Sequence, residues 1–338
     1  MSSLKDYSSQ MLPEIEQELR ARVKMPLPEK AIELKTMLDY HMGWEGAGAG
    51  PETQGKRIRP LLVLLSAAAA GGDWRCALPA ATAVELLHNF SLIHDDIEDQ
   101  GDLRHGRPAL WKIYGMPQAI NAGDLMYTLA YQAIFDLVAC LPSDRALQAA
   151  RLFGQTCADL TTGQHLDMVY ETSAGIALED YWLMVTGKTA NLLGCSTRLG
   201  ALAAGLGEEG QQDFQQFGIS LGLAFQALDD YLGVWGDVNL TGKSVESDLV
   251  SGKKTLPVLY AIGADGIFSR RWRAGHISPA EVPHLAQALI EDGAQAYTLE
   301  TADRLTRQAV QALDRASRDQ QAAAALQELA DVLLKRQN

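Results

Sequence analysis

Asp95, Asp96 and Asp99 occur in the segment LLHNFSLIHDDIEDQGDLRHGRP, spaced DDxxD at the end of a strongly helical apolar pattern. At about 3.6 residues per turn, Asp95 and Asp99 share a helix face, with Ser91 and His88 further toward the N-terminus on that side. Like charges held together at the end of an apolar helix are unfavourable unless a cation compensates them, and hard divalent ions prefer oxygen ligands. Magnesium is the natural candidate; the alternative is a solvated acidic helix end. A second pair, Asp229 and Asp230 in GLAFQALDDYLGVWGD, also follows a long apolar helical run, with Asp237 just beyond. Two acidic clusters on separate helices can face one another across a bundle core, a common way for bundles to build metal sites.

Cations stand where a diphosphate would need them: Lys56 and Arg59 in GKRIRP, Arg104 and Arg107 after the first cluster, then Lys188, Lys243 and Lys253. Arginine offers phosphate oxygens a bidentate fork and lysine a point charge. These placements occur in an acidic chain, whose 29 basic and 42 acidic residues give a formal charge of -13. That balance argues against nucleic-acid or anionic-membrane binding. Neither GxxxxGK[ST] nor a GxGxxG opening a strand–helix unit is present, which disfavours nucleotide binding.

The elements that would position these residues read as helices, and alternating strand patterns are hard to find, so the predicted fold class is all-α. Helices are predicted over Ala77–Asp99, Asn121–Ala139, Asp144–Tyr170, Leu178–Ala204 and Gln211–Val234. The glycine-rich stretch Gly43–Gly55, carrying Pro51, reads as a loop before a helix starting near Arg57. Ser278, Pro279 and Glu281 resemble a capped helix start, and Leu326, Leu329, Ala330 and Leu333 form an amphipathic stripe. With 338 residues, 47% hydrophobic, and no low-complexity linker or repeat, residues 1–338 are read as one domain. The apolar stretch Leu61–Ala70 is about half of the roughly 20 residues a membrane span needs, so it reads as a buried helix and no transmembrane segment is expected. The N-terminus lacks a secretory pattern. Cys76, Cys140, Cys157 and Cys195 have neither zinc-site nor disulfide-framework spacing, which fits a reducing cytosol.

From GKRIRP to GKKTLP, these motifs in this order resemble the trans-isoprenyl diphosphate synthase, or polyprenyl synthetase, family. The resemblance implies a bundle of long helices around a deep central cavity, generally paired into homodimers. It implies isopentenyl diphosphate and an allylic diphosphate as substrates, and three magnesium ions. Asp95 and Asp99 would ligate two ions, supported by Asp96, and Asp229 the third, supported by Asp230. Lys56, Arg59 and His88 would hold isopentenyl diphosphate. Arg104, Lys188, Gln226, Lys243 and Lys253 would contact the allylic diphosphate, with Thr189 beside the forming cation.

Two departures stand out. Gly233 occupies the position where many relatives carry a third carboxylate in the second motif, and Asp237 is a possible replacement. His105 follows Arg104 where relatives have paired arginines, so the grip on isopentenyl diphosphate would depend on protonating an imidazole. The family sets product length by bulk just below the first motif. Phe90 and Ser91, five and four residues before Asp95, lie roughly 6 to 7.5 Å down the helix. One aromatic at the deeper position resembles enzymes that stop at twenty carbons, favouring geranylgeranyl over farnesyl diphosphate. The expected reaction is ionisation of the allylic C–O bond, attack on the cation by the isopentenyl double bond, and proton loss to released diphosphate. A terpene cyclase on the same scaffold and a noncatalytic regulatory subunit are the alternatives.

Overall fold

The computed structural model describes residues 4–173, 175–236 and 247–335, and these are overwhelmingly helical. The chain divides into two compact units, one of Met1–Gly154, Ser196–Gln211 and Ser317–Leu326, the other of Gln155–Cys195, Gln212–Ala316 and Gln327–Asn338.

The first unit is organised around α4, Leu78–Glu98, which succeeds α1 (Leu4–Val23), α2 (Ile32–His41) and α3 (Ile58–Ala69). Pro79 sits in the first turn of α4, where a missing N–H costs no helical hydrogen bond. Ala80, Ala81, Ala83, Val84, Leu86 and Leu87 are fully buried, so this helix is apolar nearly all round until its acidic end. It packs against α1, α3, α5 (Leu110–Tyr114) and, most extensively, α6 (Met116–Phe135). Every residue from Leu61 to Ala70 is buried, as the unbroken apolar run predicts. The run Trp74–Glu98 is long and apolar enough to cross a membrane, yet 61% of its apolar window is buried inside the protein, as befits a core helix.

The second unit contains the later part of α7 (Ser143–Thr172), α8 (Leu178–Val185), the start of α9 (Asn191–Ala203) and most of α10 (Glu208–Trp235). It continues through α11 (Ser247–Val250), α12 (Leu256–Gly263), α13 (Ile267–Trp272), α14 (Val282–Glu291) and α15 (Ala294–Ala316). One core cluster joins Val234 and Leu249 to Val258, Phe268, Leu285 and Leu289. Another joins Tyr181, Val185 and Ala227 to Leu256, Leu259 and Ala302. Burying each large apolar side chain contributes about 1.5–3 kcal/mol, so these contacts fix the helix ends that carry polar groups.

The structure differs from the sequence reading in three places. The helix predicted over Leu178–Ala204 is interrupted by a π turn, Thr186–Ala190. The helix predicted to Ala139 ends at Phe135 and tightens into a 3₁₀ turn over Asp136–Ala139. A two-residue antiparallel pair, β1 (Leu103–Arg104) with β2 (Arg107–Pro108), follows α4, registering Arg104 opposite Arg107. Its turn residues His105 and Gly106 have φ of 51° and 74°, the paired positive values of a tight hairpin turn. The capped start at Ser278 is present: Glu281 accepts from the Ser278 backbone N–H at 3.0 Å and from its hydroxyl at 2.7 Å. Leu326, Leu329, Ala330 and Leu333 are all buried on the last helix, α16 (Gln320–Lys335).

Candidate active site

The last turn of α4 sets the first acidic cluster. Asp99 donates its backbone N–H to Asp95 O at 2.8 Å, which keeps the two residues one turn apart. Asp95 is half-buried and Asp99 exposed. Asp96 is only 3% exposed, and Arg104 Nε donates to its Oδ1 at 3.0 Å while Arg104 Nη2 makes an ion pair with the same oxygen. Burial raises the Asp96 pKa, and Arg104 offsets only part of that rise. The sequence assigned these two residues separate jobs, to metal and to substrate; here they are committed to each other, and the hairpin supplies the connection. His105, at the hairpin tip, is held below its ordinary pKa by partial desolvation and by Arg104 and Arg57, so it is neutral at neutral pH before any anion arrives. Arg107 points elsewhere. Its guanidinium donates to the carbonyls of Tyr40 and Glu45, both at 2.8 Å, and of Ala47 at 2.9 Å, fastening the glycine-rich loop.

Beside this lies a basic cluster carried by α3, the residues just before it, and α4. Arg57, which the sequence reading passed over, precedes α3 with φ of 49°, buried, and paired with Glu16 at 2.5 Å and Glu85 at 2.8 Å. That anchor determines where Lys56 and Arg59 leave the backbone on either side. Lys56 is exposed, whereas Arg59 Nη1 lies 3.1 Å from His88 Nε2. Burial and then Arg59 drive His88 well below its ordinary pKa, leaving a neutral imidazole. Arg59 Nε and Arg57 Nη2 are buried without a hydrogen-bond partner among the described residues. Unmet buried guanidinium donors are costly, and an anion's oxygens would satisfy them.

In the second unit, α10 carries Asp229 and Asp230 shortly before its end at Trp235. Asp230 is buried, and its carboxylate accepts from Tyr181 Oη at 2.7 Å, the Leu256 backbone N–H at 2.7 Å and Gln226 Nε2 at 2.9 Å. Desolvation pushes its pKa up to about 6 against those three donors. Like Asp96, this supposed metal-shell carboxylate is taken by protein groups. Lys188 pairs with Asp167 of α7, a partner that no sequence motif marked. Two glycines permit the approach: a Cβ on Gly163 of α7 would lie 2.6 Å from Gly187 C and 2.8 Å from Lys188 Cα. Thr189 Oγ1 donates to Gln226 Oε1 at 3.4 Å.

Asp167, Lys188, Thr189, Gln226, Asp230 and Lys253 line one pocket. Burial opposes the Lys253 charge, but Asp248, Asp230, Asp167 and Asp229 together raise its pKa. Lys243 and Asp237 lie outside the described residues.

The donor set fits magnesium. All candidate ligands are oxygens, and among the described residues no three or more His, Cys, Asp or Glu form a preassembled metal cage. Magnesium characteristically takes one or two carboxylates and completes its shell with water and substrate phosphate. Below the first cluster, Phe90 packs in tilted contact with His94 and Tyr127, ring centroids 4.6 and 4.9 Å apart. Ser91 donates its hydroxyl to His88 O at 2.8 Å.

Comparison with known proteins agrees with this chemistry. The chain is 36% identical over 314 residues to the (2E,6E)-farnesyl diphosphate synthase of Mycobacterium bovis, covering 90% of this chain and 86% of the relative. It is 40% identical over 263 residues to the geranylgeranyl diphosphate synthase of Mycobacterium tuberculosis, covering 75% and 74%. The crystal structure of a polyprenyl synthetase from Streptomyces coelicolor A3(2) superposes with a TM-score of 0.86 at 34% identity, covering 96% of this chain and 98% of that one. Residues 49–272 match the Polyprenyl synthetase family, so the chain belongs to that family and is a prenyltransferase forming short-chain all-trans prenyl diphosphates.

Proposed function

We propose that the product is geranylgeranyl diphosphate, made by head-to-tail (1'-4) condensation of isopentenyl diphosphate with allylic diphosphates. The observation that carries elongation, as opposed to cyclisation, is the half-buried Arg59, its own buried Nε unmet, beside neutral His88, an anion site a cyclase would not need. Lys56 adds an exposed charge at its edge.

Prenyltransferases of this family generally use magnesium; three ions, when bound, would neutralise diphosphate as it leaves. Asp95, Asp99 and Asp229 are the carboxylates we assign to them. Asp96 and Asp230 serve as positioning groups, the first orienting Arg104 and the second anchoring Gln226 and the start of α12. Lys188, Gln226 and Lys253 hold the allylic diphosphate, and Lys243 is assigned with them on sequence grounds. The Thr189 hydroxyl oxygen stands beside the developing cation. Fixed charges of this kind stabilise ionisation most where water is excluded.

Product length rests on Ser91, small and on the Asp95 face, and on Phe90, whose bulk is braced by Tyr127 one position deeper. Pairing into a homodimer is supported by Met116, Ile120 and Phe135, exposed along α6. All four cysteines are free thiols, which a reducing cytosol preserves.

Replacing Asp95 tests the assignment. Asp95→Ala should lose at least about a hundredfold in turnover. Its thermal unfolding without metal should match or exceed the wild type, because like-charge repulsion is relieved. Near-normal turnover in the folded variant would overturn the assignment.

A further inference from the structure

The hairpin after α4 is suspended between two anchors. On β1, Arg104 Nε donates to Asp96 Oδ1 of α4 at 3.0 Å. On β2, both residues are held by Tyr40 of α2. The Arg107 guanidinium carbon lies 3.8 Å from the Tyr40 ring centroid, and Arg107 Nη1 donates to Tyr40 O at 2.8 Å. The Tyr40 hydroxyl donates in turn to Pro108 O at 2.9 Å. Tyr40 is 8% and Arg107 6% exposed, so this clasp works away from water, where stacking on a cation and hydrogen bonding are strongest.

Arg107 is committed to the clasp. Each of its three nitrogens donates to a backbone carbonyl, Nε to Ala47, Nη1 to Tyr40 and Nη2 to Glu45, so it acts on substrate only through the chain it holds. Between the two anchors stand His105 and Gly106, exposed and in left-handed backbone. The register pairs Arg104 with Arg107, leaving these two residues as the tip. Arg104 keeps its own fixed partner in Asp96, whereas the direction of the His105 ring depends on where β2 is held. Tyr40, His41, Arg104 and His105 line one small cavity, so a shorter side chain at 40 widens a space into which the tip can sink.

We propose that Tyr40 is a positioning residue for isopentenyl diphosphate: with Arg107 it fixes β2 and thereby aims His105. The inference rests on reading His105 as a contact of that substrate. Because Arg104 is tied to Asp96 independently, loosening the clasp disturbs His105 and spares the allylic side. Small displacements of a group that orients substrate carry large kinetic costs.

The test measures steady-state kinetics of the full-length protein with isopentenyl and geranyl diphosphates varied in turn, and thermal unfolding alongside. Tyr40→Leu removes both the ring and the hydroxyl. It should raise KM for isopentenyl diphosphate about tenfold, while kcat and KM for geranyl diphosphate stay within about threefold. Tyr40→Phe keeps the ring against Arg107 and should raise the same constant about threefold; should Tyr40→Leu fail to fold, Tyr40→Phe decides alone. Added to His105→Ala, either change at Tyr40 should alter KM for isopentenyl diphosphate by less than about twofold, since the path through His105 is already cut. Equal rises in both Michaelis constants, a loss confined to kcat and unfolding temperature, or an undiminished effect in the His105→Ala background would overturn the inference. So would an unchanged KM in folded Tyr40→Phe. His105→Ala with an unchanged KM for isopentenyl diphosphate would overturn the underlying reading, whereas a raised KM there with indifferent Tyr40 variants would overturn only the role of Tyr40.

Discussion

Arg59 of α3 donates through Nη1 to His88 Nε2 of α4 at 3.1 Å. The accepting nitrogen must be unprotonated, so the imidazole carries its proton on Nδ1. That agrees with a pKa driven well below 6.5 by burial and then by Arg59. The pair presents a permanently charged guanidinium held by a neutral ring, with Arg59 Nε left to receive an anion.

Arg59→Ala should therefore raise KM for isopentenyl diphosphate by roughly tenfold to a hundredfold, the range expected for a hydrogen bond to a charged group. KM for the allylic primer should change far less. Steady-state kinetics with each substrate varied in turn measures this, and equal increases in both constants would show that Arg59 serves the other diphosphate.

The Tyr181–Asp230 bond, at 2.7 Å, gives a signed pH prediction. The folded pKa of Asp230 is raised from 3.8 to about 6, so between those values the folded state binds more protons than the unfolded state. Asp230's contribution to stability is thus greatest below the lower value and is lost as pH rises through the upper one. The Tyr181 hydroxyl limits that loss by donating to the charged carboxylate. Tyr181→Phe should cost about 1–3 kcal/mol at pH 7, and distinctly less at pH 5, where the carboxyl is largely protonated. Denaturant unfolding at the two pH values measures the difference; an equal loss at both would contradict the raised pKa.

The helices and both acidic clusters were legible in the sequence because they depend on local spacing. DDxxD on a period of 3.6 places Asp95 and Asp99 together whatever else the fold does. The partners of the other carboxylates were not legible, because those contacts are long-range. Asp230 meets Tyr181 across 49 residues and Leu256 across 26; Tyr181 lies in no recognisable motif, and Leu256, though part of GKKTLP, contributes only its backbone N–H. Asp96 meets Arg104 across only eight residues, but through a hairpin turn that helical periodicity conceals. Arg57 was passed over between Lys56 and Arg59 in GKRIRP, and only its left-handed backbone and its contacts with half-buried Glu16 and buried Glu85 reveal an anchor.

Product length should respond to the end of α4. Phe90 is half-buried and packed at a tilt against Tyr127, so Phe90→Ala should open space along the tail's path and lengthen products beyond twenty carbons. Removing a partly buried ring costs about 3 kcal/mol or somewhat less, so the variant should remain folded. Ser91→Phe should shorten products toward fifteen carbons. Mass spectrometry of the dephosphorylated products measures both, and an unchanged distribution in two active variants would mean that the cavity floor is built elsewhere.

The central claim is that the chain elongates an allylic diphosphate with isopentenyl diphosphate in the presence of magnesium. The most direct measurement incubates purified full-length protein with magnesium, isopentenyl diphosphate and dimethylallyl, geranyl or farnesyl diphosphate, and identifies every product by mass and chromatography. The account predicts linear all-trans products ending predominantly at geranylgeranyl diphosphate, and none when magnesium is chelated. Cyclic hydrocarbons formed without consumption of isopentenyl diphosphate, or no turnover with any primer, would contradict it.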